Sequence, residues 1–315
     1  MNCDDKINSI IDRESVKDFN LAEILSLLII NVNMKIFRLT RKQIITRVIV
    51  LGVLLLVLLP GLYNKLKVVN YTVESDKIDS PVRIALVTDL HSCAYGENES
   101  ELIDAIDEQA PDVILLGGDM FDEEMSNDNT IDFLAGISGR YPVYYVTGNH
   151  EFWGGVDRFE EDMRILEEYG VTRLSGDLVP LDINGNDITL AGVDDYDGYL
   201  VDSDLILEDQ FVDLYLSLDA DSYNIILSHR PEYIDTYSAH NYDLALCGHS
   251  HGGQWRIPGL INGIYSPNQG FFPDYTGGLY IVENTTMIVS RGLARESTGV
   301  PRLYNRPELV IIDLV

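Results

Sequence analysis

The sequence predicts an α/β fold preceded by one transmembrane helix, and three observations predict it. From Val82 onward, short β-rich apolar runs alternate with helical patterns, the signature of βαβ units. From Val48 to Leu59 the chain is apolar without interruption. Carboxylate, amide and imidazole side chains fall just beyond the ends of five apolar runs, and in open α/β sheets such strand ends are where loops converge on a ligand.

The apolar stretch comes first in the chain. Ile44, Ile45, Gly61, Leu62 and Tyr63 extend it towards the roughly 20 residues that cross a bilayer, and Arg47 near one end can snorkel. Lys35, Arg38, Arg41, Lys42 and Arg47 precede it with no acid among them, whereas only Lys65 and Lys67 follow closely. The positive-inside bias therefore puts the preceding segment in the cytoplasm and the large domain outside, as a single-pass cell-membrane protein with an extracytoplasmic catalytic domain. A cleaved signal is the competing reading, but Pro60–Tyr71 offers no small-x-small site, so an uncleaved anchor is expected. A buried core helix fits the basic prefix least. Residues 1–33 are net acidic and fit this plan poorly, while Met34 opens Met-Lys-Ile-Phe-Arg, the usual start of a signal anchor. The expected organisation is a doubtful extension over 1–33, a basic flank and anchor over 34–65, a linker over 66–80 and a catalytic domain over 81–315.

Within that domain the run Val82–Thr88 predicts a strand, 100–109 a helix, Val113–Gly117 a strand, 130–138 a helix, Val143–Thr147 a strand and 156–169 a helix. Strands over Leu178–Ile183 and Ile188–Val193 are joined by Asn184, Gly185 and Asn186, a turn-forming cluster that predicts a hairpin. Further strands are expected at Tyr223–Leu227, Leu244–Cys247, Gly278–Val282, Thr286–Val289 and Glu308–Leu314. No internal repeat is present.

A chain of 315 residues that is 46% hydrophobic and 23% charged suits one large globular domain with a short appendage. Residues 1–60 carry eight basic and six acidic residues, which leaves 14 basic and 45 acidic, a net charge of −31, for residues 61–315. Nucleic-acid binding relies on Lys and Arg neutralising phosphates, so such a body excludes nucleic acid as a general partner. Cys3, Cys93 and Cys247 supply neither a disulfide framework nor a Cys-x-x-Cys pair.

Five elements carry the chemistry. Asp89-Leu90-His91 is an Asp-x-His pair; Gly117-Gly118-Asp119 exposes a carboxylate on a tight turn; Gly148-Asn149-His150-Glu151 places an amide and an imidazole after a strand. Ser228-His229 follows, then Gly248-His249-Ser250-His251, a His-x-His that can present both rings to neighbouring metals. Any one of these is common by chance. Together they take five of the six histidines, leaving only His240 outside.

In that order the elements resemble the calcineurin-like metallophosphoesterases, over roughly Pro81 to Val315, with Glu151 where Asp is commoner. His249–Pro258, Gly277–Tyr280, Arg291-Gly292-Leu293, Gly299–Pro301 and Asn305–Glu308 look like the branch of small membrane-associated bacterial phosphoesterases. The resemblance implies a four-layer α-β-β-α sandwich and two divalent metal ions. Asp89, His91 and His251 would hold one ion, Asn149, His229 and His249 the other, and Asp119 would bridge them. Two cations with two carboxylates leave a positive cluster complementary to a phosphoryl group, and ions roughly 3.5–4 Å apart can acidify a bridging water. His150 would protonate the leaving oxygen or stabilise the transition state. Mixed imidazole and carboxylate donors suit Mn, Fe, Zn or Ni alike. Arg230 and Arg291 are candidate phosphate grips, Trp153, Trp255 and Tyr265 a candidate apolar rim, and Cys93 and Cys247 buried small residues.

The expected activity is therefore hydrolysis of a phosphoester, with a lipid or cell-envelope phosphodiester as the expected substrate and hydroxide bridging the two ions as the attacking group. A phosphomonoesterase is the nearer alternative. A non-catalytic scaffold would have lost ligands, and none is missing; a metallo-β-lactamase type would need His-x-His-x-Asp-His early in the chain, which is absent.

Overall fold

The computed structural model describes residues 40–295, 297 and 299–315; the expectations about residues 1–33 and a start at Met34 lie outside them. The first helix, α1 (Arg41–Gly61), opens at Thr40, whose Oγ1 accepts from the Gln43 amide at 3.3 Å while Gln43 Oε1 accepts from the Thr40 amide at 2.9 Å. This reciprocal pair satisfies backbone donors that the first turn leaves over. At about 1.5 Å per residue its 21 residues match the hydrocarbon thickness of a bilayer. Ile44 to Leu59 are exposed almost throughout, and among the described residues this is the one helix long and apolar enough to cross a membrane.

Residues Pro60–Val315 form a separate compact unit. Lys67–Val73 (β1) lies in the segment expected as a linker: it pairs parallel with a strand from the far end of the chain. As an edge strand it buries only Val73 fully, so its sequence lacks the apolar run that marks the other strands. The chain continues through Val82–Val87 (β2), Ser100–Gln109 (α2), Val113–Gly117 (β3), Asp128–Ile137 (α3), Val143–Val146 (β4), Asn149–Trp153 (α4), Val156–Glu168 (α5) and Thr172–Arg173 (β5). Asp177–Ile183 (β6) and Asn186–Gly192 (β7) form the expected hairpin, turning on Asn184 (φ 56°) and Gly185 (φ 84°). Positive φ at both turn positions matches the right-handed twist of the strands, which is why Asn-Gly serves there. Leu207–Tyr215 (α6), Tyr223–Leu227 (β8), Ile234–Ala239 (α7) and Leu244–Cys247 (β9) follow, then a two-stranded ribbon, Tyr265–Ser266 (β10) with Gly270–Phe271 (β11), and finally Gly278–Val282 (β12), Thr285–Val289 (β13) and Glu308–Leu314 (β14).

Two six-stranded sheets result, in the orders β1-β14-β2-β3-β4-β5 and β12-β13-β9-β8-β7-β6. Each has a parallel centre: β2, β3 and β4 run parallel in the first, β7, β8, β9 and β13 in the second. Because side chains alternate along a strand, each sheet feeds two cores. Ile84 and Leu86 of β2, with Val113 and Leu115 of β3, pack against Ile225 and Leu227 of β8 and Leu244 and Leu246 of β9. The alternate residues Ala85, Val87, Ile114 and Leu116 face Leu102 and Ile106 of α2, Phe133 and Leu134 of α3 and Ile165 of α5. On the second sheet Ala245, Cys247, Met287 and Val289 face Phe211 of α6 and Tyr237 of α7. The order of layers is thus helix, sheet, sheet, helix, the sandwich expected.

Candidate metal centre

The parallel centres of both sheets end at one place. Asp89 and His91 follow β2, Asp119 follows β3, Asn149 opens α4 after β4, His229 follows β8, and His249 and His251 follow β9. The turns that aim these side chains are strained: Asp89 (φ 53°), His91 (φ 47°), Asp119 (φ 51°), His249 (φ 65°) and His251 (φ 45°) all hold left-handed backbone, a costly conformation for residues with a Cβ. Backbone hydrogen bonds keep them there: the Asp89 amide donates to Gly118 O at 2.9 Å and the His91 amide to Asp119 O at 3.0 Å. Gly118 (φ 88°) has no room for a side chain, since a Cβ would lie 2.7 Å from the Gly148 amide nitrogen.

Two clusters form around Asp119. Asp89, His91, Asp119 and His251 offer donor atoms within 4.8 Å of one another, as do Asp119, His229 and His249. Asp119 Oδ2 lies 3.5 Å from His91 Nε2 and 3.1 Å from His229 Nε2. His251 Nε2 is 3.4 Å from Asp89 Oδ1 and 3.3 Å from His91 Nε2, and His249 Nδ1 is 3.2 Å from His229 Nε2. The outward nitrogens of three rings are pinned: His229 Nδ1 donates to Gly117 O at 2.8 Å, His91 Nδ1 to Asp122 Oδ2 at 3.2 Å and His249 Nε2 to Asn268 Oδ1 at 3.1 Å. Pinning one nitrogen fixes the tautomer and turns the lone pair of the other inward, as metal-ligating histidines require. Asp89 Oδ2 and Asn149 Oδ1 are buried without a hydrogen-bond partner. Buried oxygens left unpaired are costly, and coordination to a cation would satisfy each of them. The donor set fits a divalent metal.

Electrostatics follow the same division. Burial alone would raise the Asp119 carboxyl, but the charges of His229, His150 and His91 outweigh it and hold it well below the usual carboxylate range. Burial would lower His229; its ion pair with Asp119 wins and lifts it to about 10. His249 is pushed down to about 3 by burial, then by the charges of His229 and Arg230, and burial with His91 and Arg302 drives His251 well below the usual imidazole value. Two ring nitrogens are therefore neutral and ready to ligate, whereas metal uptake at His229 releases a proton and strengthens as pH rises.

His150 stands beside the clusters. Its amide donates to Asp119 Oδ1 at 2.9 Å, its Nδ1 meets Glu123 Oε2 at 2.5 Å, and its ring stands edge-on to His91 with centroids 4.2 Å apart. Burial opposes its charge, but the carboxylates of Asp119, Glu123 and Asp122 prevail and raise it. Trp153, Trp255 and Tyr265 are all about half exposed, and Cys93 and Cys247 are buried. Arg230 is buried with its guanidinium on Asp195 at 2.6 and 2.7 Å, and Arg291 holds Glu308 at 3.0 Å and Gly277 O at 2.9 Å. For either arginine to grip a phosphate, the phosphate would have to compete with a carboxylate already in place.

Four residues have a place here that their sequence context did not assign them. Glu151, fully buried, accepts four backbone amides: Met120 (2.7 Å) and Phe121 (3.1 Å) on Oε1, Asp119 (3.0 Å) and Gly148 (2.7 Å) on Oε2. It ties the β3 and β4 turns together, and burial with the nearby Asp119 charge raises its carboxyl to about 7. Asp122, Glu123 and Asn268 are the outer partners of His91, His150 and His249. Asp122 follows Asp119 by three residues, but in so acidic a chain that spacing gives no contrast; Asn268 lies in a loop without periodicity.

A two-sheet sandwich whose strand ends gather imidazoles around a shared buried carboxylate defines a metal-dependent hydrolase. The chain belongs to the calcineurin-like phosphoesterase family, whose profile matches residues 82–253, and is a metal-dependent phosphoesterase. It is 29% identical to an uncharacterized metallophosphoesterase of Aquifex aeolicus over 79% of this chain and 92% of that one, and 28% identical to phosphodiesterase YaeI of Escherichia coli over 75% and 83%. A Campylobacter jejuni metallophosphoesterase is 28% identical over 79% of this chain, which spans 63% of that longer protein. Among solved structures, NAD nucleotidase of Haemophilus influenzae superposes with a TM-score of 0.47 at 16% identity, over 69% of this chain and 46% of that one.

Proposed function

We propose that the protein is a membrane-anchored phosphodiesterase that cleaves a lipid or cell-envelope phosphodiester on the extracytoplasmic side. Asp89, His91 and His251 take one divalent ion, Asn149, His229 and His249 a second, and Asp119 serves both. The observation that carries this reading is the sharing of Asp119 by two clusters of His and Asp donors; the buried oxygens Asp89 Oδ2 and Asn149 Oδ1, at strand ends of the first sheet, are left without a hydrogen-bond partner. Bound divalent ions polarise phosphoryl oxygens and lower the pKa of coordinated water. The chain does the rest. Glu123 holds His150 Nδ1, so the Nε2 edge is the one left to pass a proton to the departing oxygen. Glu151 and the four amides on it keep the Asp119 carboxylate aimed.

A diester rather than a monoester is supported by the similarity to a relative named as a phosphodiesterase. The anchor rests on the length and apolarity of α1, and its sidedness on the basic residues that precede it. In this arrangement 34–65 form the flank and anchor, and the catalytic body of 81–315 also takes in β1 from the segment between them. With the full chain loaded with Mn, bis-p-nitrophenyl phosphate should be hydrolysed faster than p-nitrophenyl phosphate; cleavage of the monoester alone would overturn the diester reading.

A further inference from the structure

The segment after the His-x-His carries a concentration of exposed apolar side chains. Trp255, Ile257 and Tyr265 are about half exposed, whereas Phe272 (65%), Phe271 (73%) and Leu260 (84%) stand almost clear of the protein. They share one small lattice: the Ile264 amide donates to Trp255 O at 3.0 Å, the Phe272 amide to Ile264 O at 2.8 Å, and the Tyr265 and Phe271 rings meet with centroids 5.3 Å apart. Contiguous exposed apolar surface of this kind marks a binding face. Its base is fastened to the first residues after the apolar stretch. Trp255 is bridged to Leu303, and the Arg256 amide donates to Leu303 O at 3.0 Å. Next along, the Tyr304 amide donates to Gly61 O at 2.6 Å, and Arg306 donates to Lys65 O and Leu66 O at 2.9 and 2.8 Å. If residues up to Leu59 cross a bilayer, Gly61–Leu66 lie at its surface by connectivity alone, and the lattice is tied to them. Charge points the same way. Residues 244–307 carry five basic and three acidic residues, a net +2, within a body of net −31. An anionic membrane surface repels this stretch less than it repels the body as a whole.

We infer that Trp255–Phe272 is a second membrane contact, lying in the bilayer that α1 enters. Trp and Tyr suit the headgroup level, and Leu260, Phe271 and Phe272 the acyl boundary below it. The same loop reaches the centre through Asn268 on His249. Docking therefore sets the candidate metal centre over headgroups, where a lipid phosphodiester would be presented. The inference rests on the reading of α1 as a span.

The chain has two tryptophans, Trp153 and Trp255, so a Trp153→Phe variant makes Trp255 the sole reporter. The full-length variant is reconstituted into phosphatidylcholine vesicles with phosphatidylglycerol as the minor lipid, the acyl chains brominated or not. Bromine should quench about half of the emission, as for a ring roughly 5–10 Å deep at the headgroup–acyl boundary. Adding Leu260→Asp and Phe272→Asp should largely abolish that quenching. Alkaline carbonate extraction tests the span separately. If the chain stays in the pellet and Trp255 is unquenched, the loop contact is wrong while the anchor stands; cross-linking that shows Trp255 covered by a second copy would overturn the loop contact in the same way. If the chain is extracted yet Trp255 is quenched, the loop contact stands and the anchor falls. Extraction without quenching refutes both.

Discussion

The two halves of the candidate centre are built differently. The β2, β3 and β4 turns of the first sheet bring both carboxylates of the clusters, Asp89 and Asp119, together with His91 and Asn149, and they set Asp122, Glu123 and Glu151 behind them. The β8 and β9 turns of the second sheet bring His229, His249 and His251, with the neutral amide of Asn268 behind. The first half is held by backbone, through the Asp89 and His91 amides and the four amides on Glu151. The second leans on the first, since His229 Nδ1 rests on Gly117 O and the His249 amide donates to Asp89 Oδ1 at 2.9 Å. The first half, which holds both cluster carboxylates, thus sets position, and the second half adds only imidazoles to the donor set. The division also explains the opposed shifts of Asp119 and His229, which face each other across the seam.

The largest effect should come from removing the group on the seam. Asp119→Ala should lose metal and hydrolysis together, read by metal content and activity on bis-p-nitrophenyl phosphate, whereas His150→Ala should keep its metal and lose about 10²–10⁴-fold in turnover. Full activity in either variant would refute the role proposed for it. A smaller effect should separate the outer partners. Asp122→Ala frees His91 Nδ1 and should weaken metal binding by about 10–100-fold. Asn268→Ala, on the neutral side, should cost less; equal losses in a chelator competition would mean that the charge asymmetry does not decide how the rings are held.

The smallest effect lies in the support of the acidic half. Asp162 accepts from Asn127 Nδ2 at 2.7 Å and lies 3.6 Å from Arg158, which in turn donates to Met125 O at 2.9 Å and to Asp122 O at 3.3 Å. Burial raises the Asp162 carboxyl to about 6 against the pull of Asn127 and Arg158. The folded carboxyl thus binds its proton more tightly than the unfolded one. Its contribution to stability is complete below the unfolded value near 4 and lost as pH rises through about 6. Asp162→Asn should remove that slope, so its stability relative to the parent should grow between pH 4 and 7 by roughly 1–3 kcal/mol. Thermal unfolding in detergent across that range is the measurement, and a constant difference would exclude the linkage.

The contrast between the halves also bears on what can be seen in the sequence. The candidate ligands are legible because each follows an apolar run, and the buried strands are legible because both faces are covered. β1 is hidden because an edge strand needs few apolar residues, and α4 because its five residues are too few for a helical period. Asp122, Glu123 and Glu151 disappear among 51 acids, where one more carboxylate makes no contrast. The partners of Arg230 and Arg291, Asp195 and Glu308, are distant in sequence, so both arginines read as unengaged cations.

The place of β14 sets an order of events. It lies between β1 and β2, with Val310 beside Leu86 on one side and Val69 on the other. The first sheet therefore stays split, with an open edge at β2, until a segment from the far end of the domain arrives. Such long-range pairing slows folding. If the domain crosses a membrane before it matures, as the proposed anchor implies, that delay is an advantage: a chain that cannot close its sheet early remains threadable for longer.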